Sequence, residues 1–293
     1  MAAKFGSVFR DGLFKNQVAV VTGGGTGIGK AIAYELATLG CNVVISSRKK
    51  EVIEKSSKEL NERLKKEKGN SSVAIPCNIR KEEEVSSLMK ETVSKFGQLN
   101  YLVNNGGGQF ISPFSMINKK GWSAVIDTNL NGTFHCLKEA YDAWMGEHGG
   151  SIVNITVDNF NGMPYMSHSG AARAGVTNLT KTLALEWAPN NIRINSVAPG
   201  VIYSDTAAAN YKDHPTLFEE VKKSIPFKRT GTVEEISGTV CFLLSPAASF
   251  ISGDVWKIDG AQSLNGHNTF ELPNNYKTKE YSWQDLDGFK SKL

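Results

Sequence analysis

The sequence predicts a single α/β domain: a doubly wound, Rossmann-like parallel sheet of about seven strands with helices on both faces. Three observations carry that expectation. Short apolar, β-branched runs alternate with segments of helical periodicity along most of the chain. Runs such as Val18-Ala19-Val20-Val21 do not alternate in polarity, which suits strands covered on both faces. A glycine-rich run, Thr22-Gly23-Gly24-Gly25-Thr26-Gly27-Ile28-Gly29, joins the first strand to the first helix.

In chain order, strands are expected at Val18–Val21, Val43–Ser46, Val73–Cys77, Tyr101–Val103, Ser151–Ile155, Ile192–Val197 and Asp254–Ile258. Helices are expected between them at Gly29–Leu39, Lys50–Lys66, Glu82–Phe96, Trp122–Met145, Ser167–Trp187 and Val233–Leu244. The widest irregular stretch, Tyr203 to Thr230, has the length of a lid or binding loop. No repeat or interdomain linker interrupts the pattern. The chain divides into an extension (1–16), one domain (17–261, with the loop 203–230) and a tail (262–293). That tail is expected to be loose, because Gln262 to Lys290 is polar and poor in aliphatic residues.

At 293 residues the chain can bury one large core without splitting. The net charge of +4 is spread among Glu and Asp rather than gathered into a basic stripe with aromatics, so a nucleic-acid partner is not expected. No stretch is long and apolar enough to span a bilayer, and Met1 to Lys15 lacks the apolar core of a secretory signal. Cys41, Cys77, Cys136 and Cys241 are far apart without metal-ligand spacing; buried reduced thiols and no metal site are expected. The final Ser291-Lys292-Leu293 reads as an address for the peroxisomal import receptor, a chance tripeptide being the alternative.

The glycine-rich run between a strand and a helix has the context of a dinucleotide site. Glycine lets the turn close and the backbone approach a diphosphate, and the helix start supplies free N–H groups and a positive dipole end. The second strand leads into Ser46-Ser47-Arg48-Lys49-Lys50. An NAD site places an acid there for the ribose hydroxyls; Arg48 suits a 2′-phosphate and points to NADPH. An exposed basic helix start is the other reading of the same residues.

The spacing Thr-Gly-x-x-x-Gly-x-Gly resembles the short-chain dehydrogenase/reductase family. So do Asn104-Asn105-Gly106-Gly107, with glycine for the family's alanine, Asn129 in Asp127-Thr128-Asn129, Ser151 to Ile155, Asn195 to Gly200, and Asp259-Gly260. The resemblance spans roughly Gln17 to Ala261. It implies a nicotinamide cofactor held by Gly23, Gly25, Thr26, Gly27, Ile28, Gly29, Ser47, Arg48, Asn78, Asn105, Gly106, Gly107, Arg173, Pro199, Gly200, Ile202 and Ser204. Within the family, Asn104 to Phe110, His168 to Val176, Val201 to Ser204 and the terminal Ser-Lys-Leu are similar to the peroxisomal trans-2-enoyl-CoA reductases. That similarity implies an acyl-CoA substrate whose 2,3 double bond is saturated with NADPH. A peroxisomal 2,4-dienoyl-CoA reductase and a non-catalytic NADPH-binding relative stand as alternatives.

The family's Tyr-x-x-x-Lys pair is missing. Aligning Arg173-Ala174-Gly175-Val176 with the family's Lys-Ala-Gly-Val puts Ser169 at the tyrosine and Arg173 at the lysine; a second frame runs from Thr177 to Lys181. A ketone reductase protonates an alkoxide and wants a phenol nearby. An enoyl-CoA reductase sends hydride to the β-carbon and stabilises a thioester enolate, which Arg173 suits through positive potential. Arg173 cannot donate a proton near neutral pH. Candidate catalytic residues are therefore Asn129, Tyr165, Ser169 and Arg173, with the proton donor open among Tyr165, a hydroxyl near Thr156 and Asp158, and solvent. Lys212, Lys222, Lys223, Lys228 and Arg229 make the covering loop basic, for CoA phosphates or as a solvated face. The small residues from Ser167 to Gly175 allow close backbone approach, and the resemblance implies a homo-oligomer through this region.

Overall fold

The computed structural model describes residues 7–64, 70–265 and 278–285. Seven strands form one parallel sheet in the order β3-β2-β1-β4-β5-β6-β7. They are β1 (Val18–Thr22), β2 (Asn42–Ser47), β3 (Ser72–Pro76), β4 (Tyr101–Asn104), β5 (Gly150–Ile155), β6 (Ile192–Pro199) and β7 (Val255–Ile258). All seven expected strands are present. Because β1 pairs with both β2 and β4, the chain order reverses there, and a crevice opens at the carboxyl ends of β1 and β4.

The helices are α1 (Gly27–Thr38), α2 (Lys50–Leu64), α3 (Glu82–Phe96), α4 (Lys119–Ile126), α5 (Gly132–Ala140), α6 (Gly146–His148), α7 (Ser167–Glu186), α8 (Asp205–Asn210), α9 (Leu217–Ser224) and α10 (Val233–Leu244). The helix expected at Trp122–Met145 is a longer composite. Wide π turns at Asp127–Asn131 and Tyr141–Met145 join α4, α5 and α6. The stretch expected to be irregular, Tyr203 to Thr230, holds α8 and α9. Helix α8 starts at Ser204, whose hydroxyl accepts from Ala207 N (3.1 Å).

Strand side chains divide the core between the faces. Ala19, Val21, Val43, Ile45 and Val153 face α1 and α10. Val20, Val44, Leu102, Ile152 and Ile194 face α3 and α5. Neighbouring strand residues thus bury to opposite sides, which is why these runs lack a polar beat. The four cysteines are buried free thiols, as their surroundings suggested.

The first core reaches beyond residues 17–261. Phe14 is fully buried in it, and so is Trp283, which is 4% exposed. The expectation of a loose tail is therefore not met over 278–285. Arg229 Nη2 donates to Lys279 O (3.2 Å), and Thr232 Oγ1 donates to Tyr281 O (3.0 Å). Burial of the Trp283 ring, with the partly buried Tyr281 packed against the same core, offsets the ordering of this short segment, an effect that a count of aliphatic residues misses. The terminal Ser291-Lys292-Leu293 lies outside the described residues.

Between α1 and α10 the Glu35 carboxyl is fully buried and accepts from Ser7 Oγ (2.7 Å) and from Ser237 Oγ. Burial pushes its pKa from the usual 4.5 up to about 7, against the opposing pull of those hydroxyls. The folded state thus holds a proton that the unfolded chain releases. Stability from this group is greatest below pH 4.5 and is lost as pH rises to about 7. Glu35→Gln is expected to abolish that slope and to stabilise the protein at pH 8 by roughly 2–3 kcal/mol. Denaturant titrations of both proteins at pH 5 and 8 check this; equal pH dependence refutes it.

Candidate active site

The crevice at the sheet's carboxyl edge deepens into a cleft of about 590 Å³. One wall is the glycine turn. Gly23 and Gly27 take positive φ (64° and 53°), which glycine adopts without strain. A Cβ at Gly29 would overlap both Gly23 O and Asn105 Nδ2. From the end of β4, Asn105 Nδ2 donates to Thr22 O (3.1 Å) and Gly23 O (3.3 Å). Thr22 Oγ1 accepts from Asn105 N (3.0 Å) and Gly106 N (2.9 Å). The turn is thereby tied to the neighbouring strand. No side chain caps the first turn of α1 and no acid sits in it, so its N–H groups and dipole stay available to an anion.

The structure gathers most of the cofactor residues expected from the sequence. Gly23, Thr26, Gly27, Ile28, Asn105, Gly107, Arg173, Pro199, Gly200, Ile202 and Ser204 all line the cleft. Gly25 and Gly29 shape the turn from behind: a Cβ at Gly25 would press on Val52 and Ile53 of α2. Gly106 sits against Thr22 and Ile79. Ser47, Arg48 and Asn78 lie beyond the cleft's lining, along the same edge of the sheet. Gly24 N donates to Ser46 O (3.3 Å) and Cys77 N donates to Ser47 O (3.1 Å), which brings the ends of β2 and β3 beside the turn. Arg48 is exposed there and forms no ion pair among the described residues.

The residues expected to be catalytic separate into different positions. Arg173, on α7, reaches the cleft. Its Nη1 donates to Ile155 O (2.5 Å), and no carboxylate pairs with it among the described residues. Loss of hydration pushes its pKa down to about 10, so it stays cationic at neutral pH. A Cβ at Gly107 would overlap Arg173 Nη2, so glycine is what lets the guanidinium pass. In the other frame, Lys181 is exposed and neither it nor Thr177 lines the cleft.

Asn129 lies in the first π turn, is fully buried and does not line the cleft. Its Oδ1 accepts from Gly108 N (3.0 Å) and its Nδ2 donates to Gly108 O (2.8 Å), holding the peptide groups on both sides of Gly108. Ser169 is also fully buried and behind the cleft; its Oγ donates to Gln109 Oε1 (2.6 Å). Tyr165 is 60% exposed at φ 63°, and its side chain does not line the cleft although Pro164 and Met166 do. Its place before α7 had suggested reach; the left-handed backbone turns the ring outward. Asn129, Ser169 and Tyr165 thus do not line the cleft, and the first two support the 107–109 segment.

Sequence reasoning passed over Gln109 and Tyr211. Gln109 Nε2 donates to Tyr211 Oη (2.8 Å), joining the β4 loop to the segment that covers the cleft. Gln109 stood within a run already singled out; no local signal marks Tyr211. Asp158 also lines the cleft, its pKa raised by burial and by Asp259. Met163, Met166, Leu217, Phe218 and Val221 supply apolar lining. The basic residues of the covering loop are largely engaged elsewhere: Lys222 with Glu219, Lys223 with Glu220, and Arg229 with Glu235.

A glycine cradle at an open helix start, in the switch-point crevice of a doubly wound sheet, defines a nicotinamide-dependent oxidoreductase. The chain matches the family described as enoyl-(acyl carrier protein) reductase over residues 23–261. It is 34% identical over 269 residues to the peroxisomal 2,4-dienoyl-CoA reductase [(3E)-enoyl-CoA-producing] of Danio rerio, covering 92% of this chain and 88% of that one. The solved citronellol catabolism dehydrogenase (AtuB) of Pseudomonas aeruginosa PAO1 is 42% identical with a TM-score of 0.77, over 88% of this chain and 99% of that one. A variant of the actinorhodin polyketide ketoreductase, solved with NADPH, is 28% identical with a TM-score of 0.80, over 87% and 99% of the two chains. The chain belongs to the short-chain dehydrogenase/reductase family.

Proposed function

We propose that the protein reduces the 2,3 double bond of trans-2-enoyl-CoA thioesters with NADPH. The observation that carries this reading is Arg173, a cation that faces the cleft without a counter-ion among the described residues, where ketone reductases of the family carry a lysine partnered with a phenol. The face of α7 one turn earlier presents Ser169, turned inward to Gln109. A guanidinium there favours negative charge that develops on a thioester oxygen. The apolar lining from Met163 to Val221 suits an acyl chain.

The glycine turn, Asn105 and the α1 N-terminus fit the diphosphate of the dinucleotide, and Arg173 fits the nicotinamide ribose. The bound dihydronicotinamide supplies hydride. The chain's own residues orient the thioester, hold positive potential beside its oxygen and restrict water at the apolar end.

Following NADPH absorbance with trans-2-enoyl, 2,4-dienoyl and 3-oxoacyl thioesters tests the reading. Turnover of the enoyl esters is expected, with little on 3-oxoacyl esters. Activity confined to dienoyl esters would replace it with the second reading, which the 34% identity to a 2,4-dienoyl-CoA reductase favours. Tight NADPH binding without turnover of any thioester would leave a non-catalytic binding protein.

The preference for NADPH rests on Arg48 and on the absence of an acid at the end of β2. Arg48→Ala is expected to raise the NADPH Kd about 10- to 100-fold, the worth of one or two charge-assisted hydrogen bonds, and to leave NADH nearly unaffected. Titrations by nicotinamide fluorescence check it, and equal weakening of both cofactors overturns it. We further assign the protein to the peroxisome matrix as a homo-oligomer, through Ser291-Lys292-Leu293 and its import receptor. The assignment is supported by similarity to peroxisomal relatives. A tag fused after Leu293 should strand the protein in the cytosol, and sedimentation reads the oligomer.

A further inference from the structure

Three groups lining the cleft carry a titratable proton: Asp158, Arg173 and Tyr211. Arg173 does not release its proton near neutral pH. The Asp158 carboxylate accepts from the Phe160 N–H, which engages it as an acceptor. Tyr211 differs. Its Oη accepts from Gln109 Nε2 (2.8 Å), while its own proton goes to no acceptor among the described residues. Thr156, the hydroxyl nearest the end of β5, donates to Val197 O (3.1 Å) and is committed.

The support beneath Tyr211 is built from the buried side. Ser169 Oγ donates to Gln109 Oε1 (2.6 Å), so the amide presents its oxygen inward and its NH2 toward the phenol. Asn129 fixes the backbone on both sides of the adjoining Gly108 through two hydrogen bonds. In this arrangement the Gln109 amide accepts from the buried Ser169 and donates to Tyr211, which leaves the phenol's hydrogen free to face the cleft.

We propose that Tyr211 is the proton donor to the thioester enolate, with Gln109 and Ser169 as positioning residues; this rests on the enoyl reductase reading. With hydride added at Cβ, the former C=C π pair would form the Cα=C1 bond of the enolate and the carbonyl π pair would rest on the thioester oxygen. The enolate then takes the Tyr211 proton: the O–H bond breaks and a C–H bond forms at Cα. Tyr211 is partly exposed, so water returns the proton to the phenolate. The phenol that the family places on α7 is supplied here by the segment covering the cleft.

The test uses the full-length protein, NADPH and a trans-2-enoyl-CoA. Tyr211→Phe keeps the ring and removes the proton. It is expected to lower kcat by about 100-fold, with KM and the NADPH Kd within about threefold. The residual rate should rise with the concentration of a small buffer acid such as imidazolium, which replaces a missing donor and does not repair a missing latch. Gln109→Met should cost about tenfold in kcat alone and little more when added to Tyr211→Phe, because both act through one hydroxyl. A Tyr211→Phe protein that binds NADPH and retains kcat, or loses only KM, overturns the proposal while the reductase reading stands. Absence of turnover by the unaltered protein on every enoyl ester overturns both.

Discussion

Replacing Arg173 with methionine will lower kcat on an enoyl thioester by about 100- to 1,000-fold, the usual cost of removing a group that stabilises developing negative charge in a sheltered site. The guanidinium enters the cleft past Gly107, bonds Ile155 O and has no carboxylate to neutralise it among the described residues. Its pKa, about 10, leaves it charged throughout the neutral range. Methionine preserves much of the stem's volume, so folding should survive. Arg173→Lys should retain more activity than Arg173→Met, because a point charge persists although the second hydrogen-bonding arm is lost. Steady-state kinetics on the three proteins decide the matter. Methionine within about threefold of the unaltered kcat would remove Arg173 from the chemistry and with it the observation behind the proposed function.

Gly29→Ala will abolish measurable NADPH binding and destabilise the fold by about 1–3 kcal/mol. The added methyl has nowhere to go. It meets the Gly23 carbonyl oxygen, a backbone atom of the turn, and the Asn105 amide that ties the turn to β4. Relief requires the turn to open, and opening removes the diphosphate cradle. Gly97→Ala is the informative contrast. Gly97 ends α3 at φ 73° with no atom near a would-be Cβ, so alanine there costs stability through strain alone. Thermal melts with and without NADPH separate the two. Cofactor protection of Gly29→Ala equal to that of the unaltered protein would show that the turn does not have to be this tight.

All seven strands and the glycine turn were legible in the residues, because both depend on neighbours in sequence. A strand covered on both faces needs a short apolar run, and a tight turn needs glycine at fixed offsets. Arg173 was legible too, through the family pattern of α7. Asn129 and Ser169 were recognised as special by type and position, but not as buried supports of the 107–109 segment. Their residue types are right for chemistry and equally right for buried hydrogen bonding, and only packing distinguishes the two. The buried Trp283 was missed because the core it joins is built from residues far away in the chain.

What the sequence by itself determined, then, is the architecture and the position of the glycine turn at the sheet's carboxyl edge. The tertiary structure decided which groups face the cleft. Ser169 meets Gln109 across 60 residues and Gln109 meets Tyr211 across 102. The physical reason is that periodicity and turn chemistry are local properties of the backbone. The direction of a side chain's hydrogen bond depends on partners that only the closed sheet brings together.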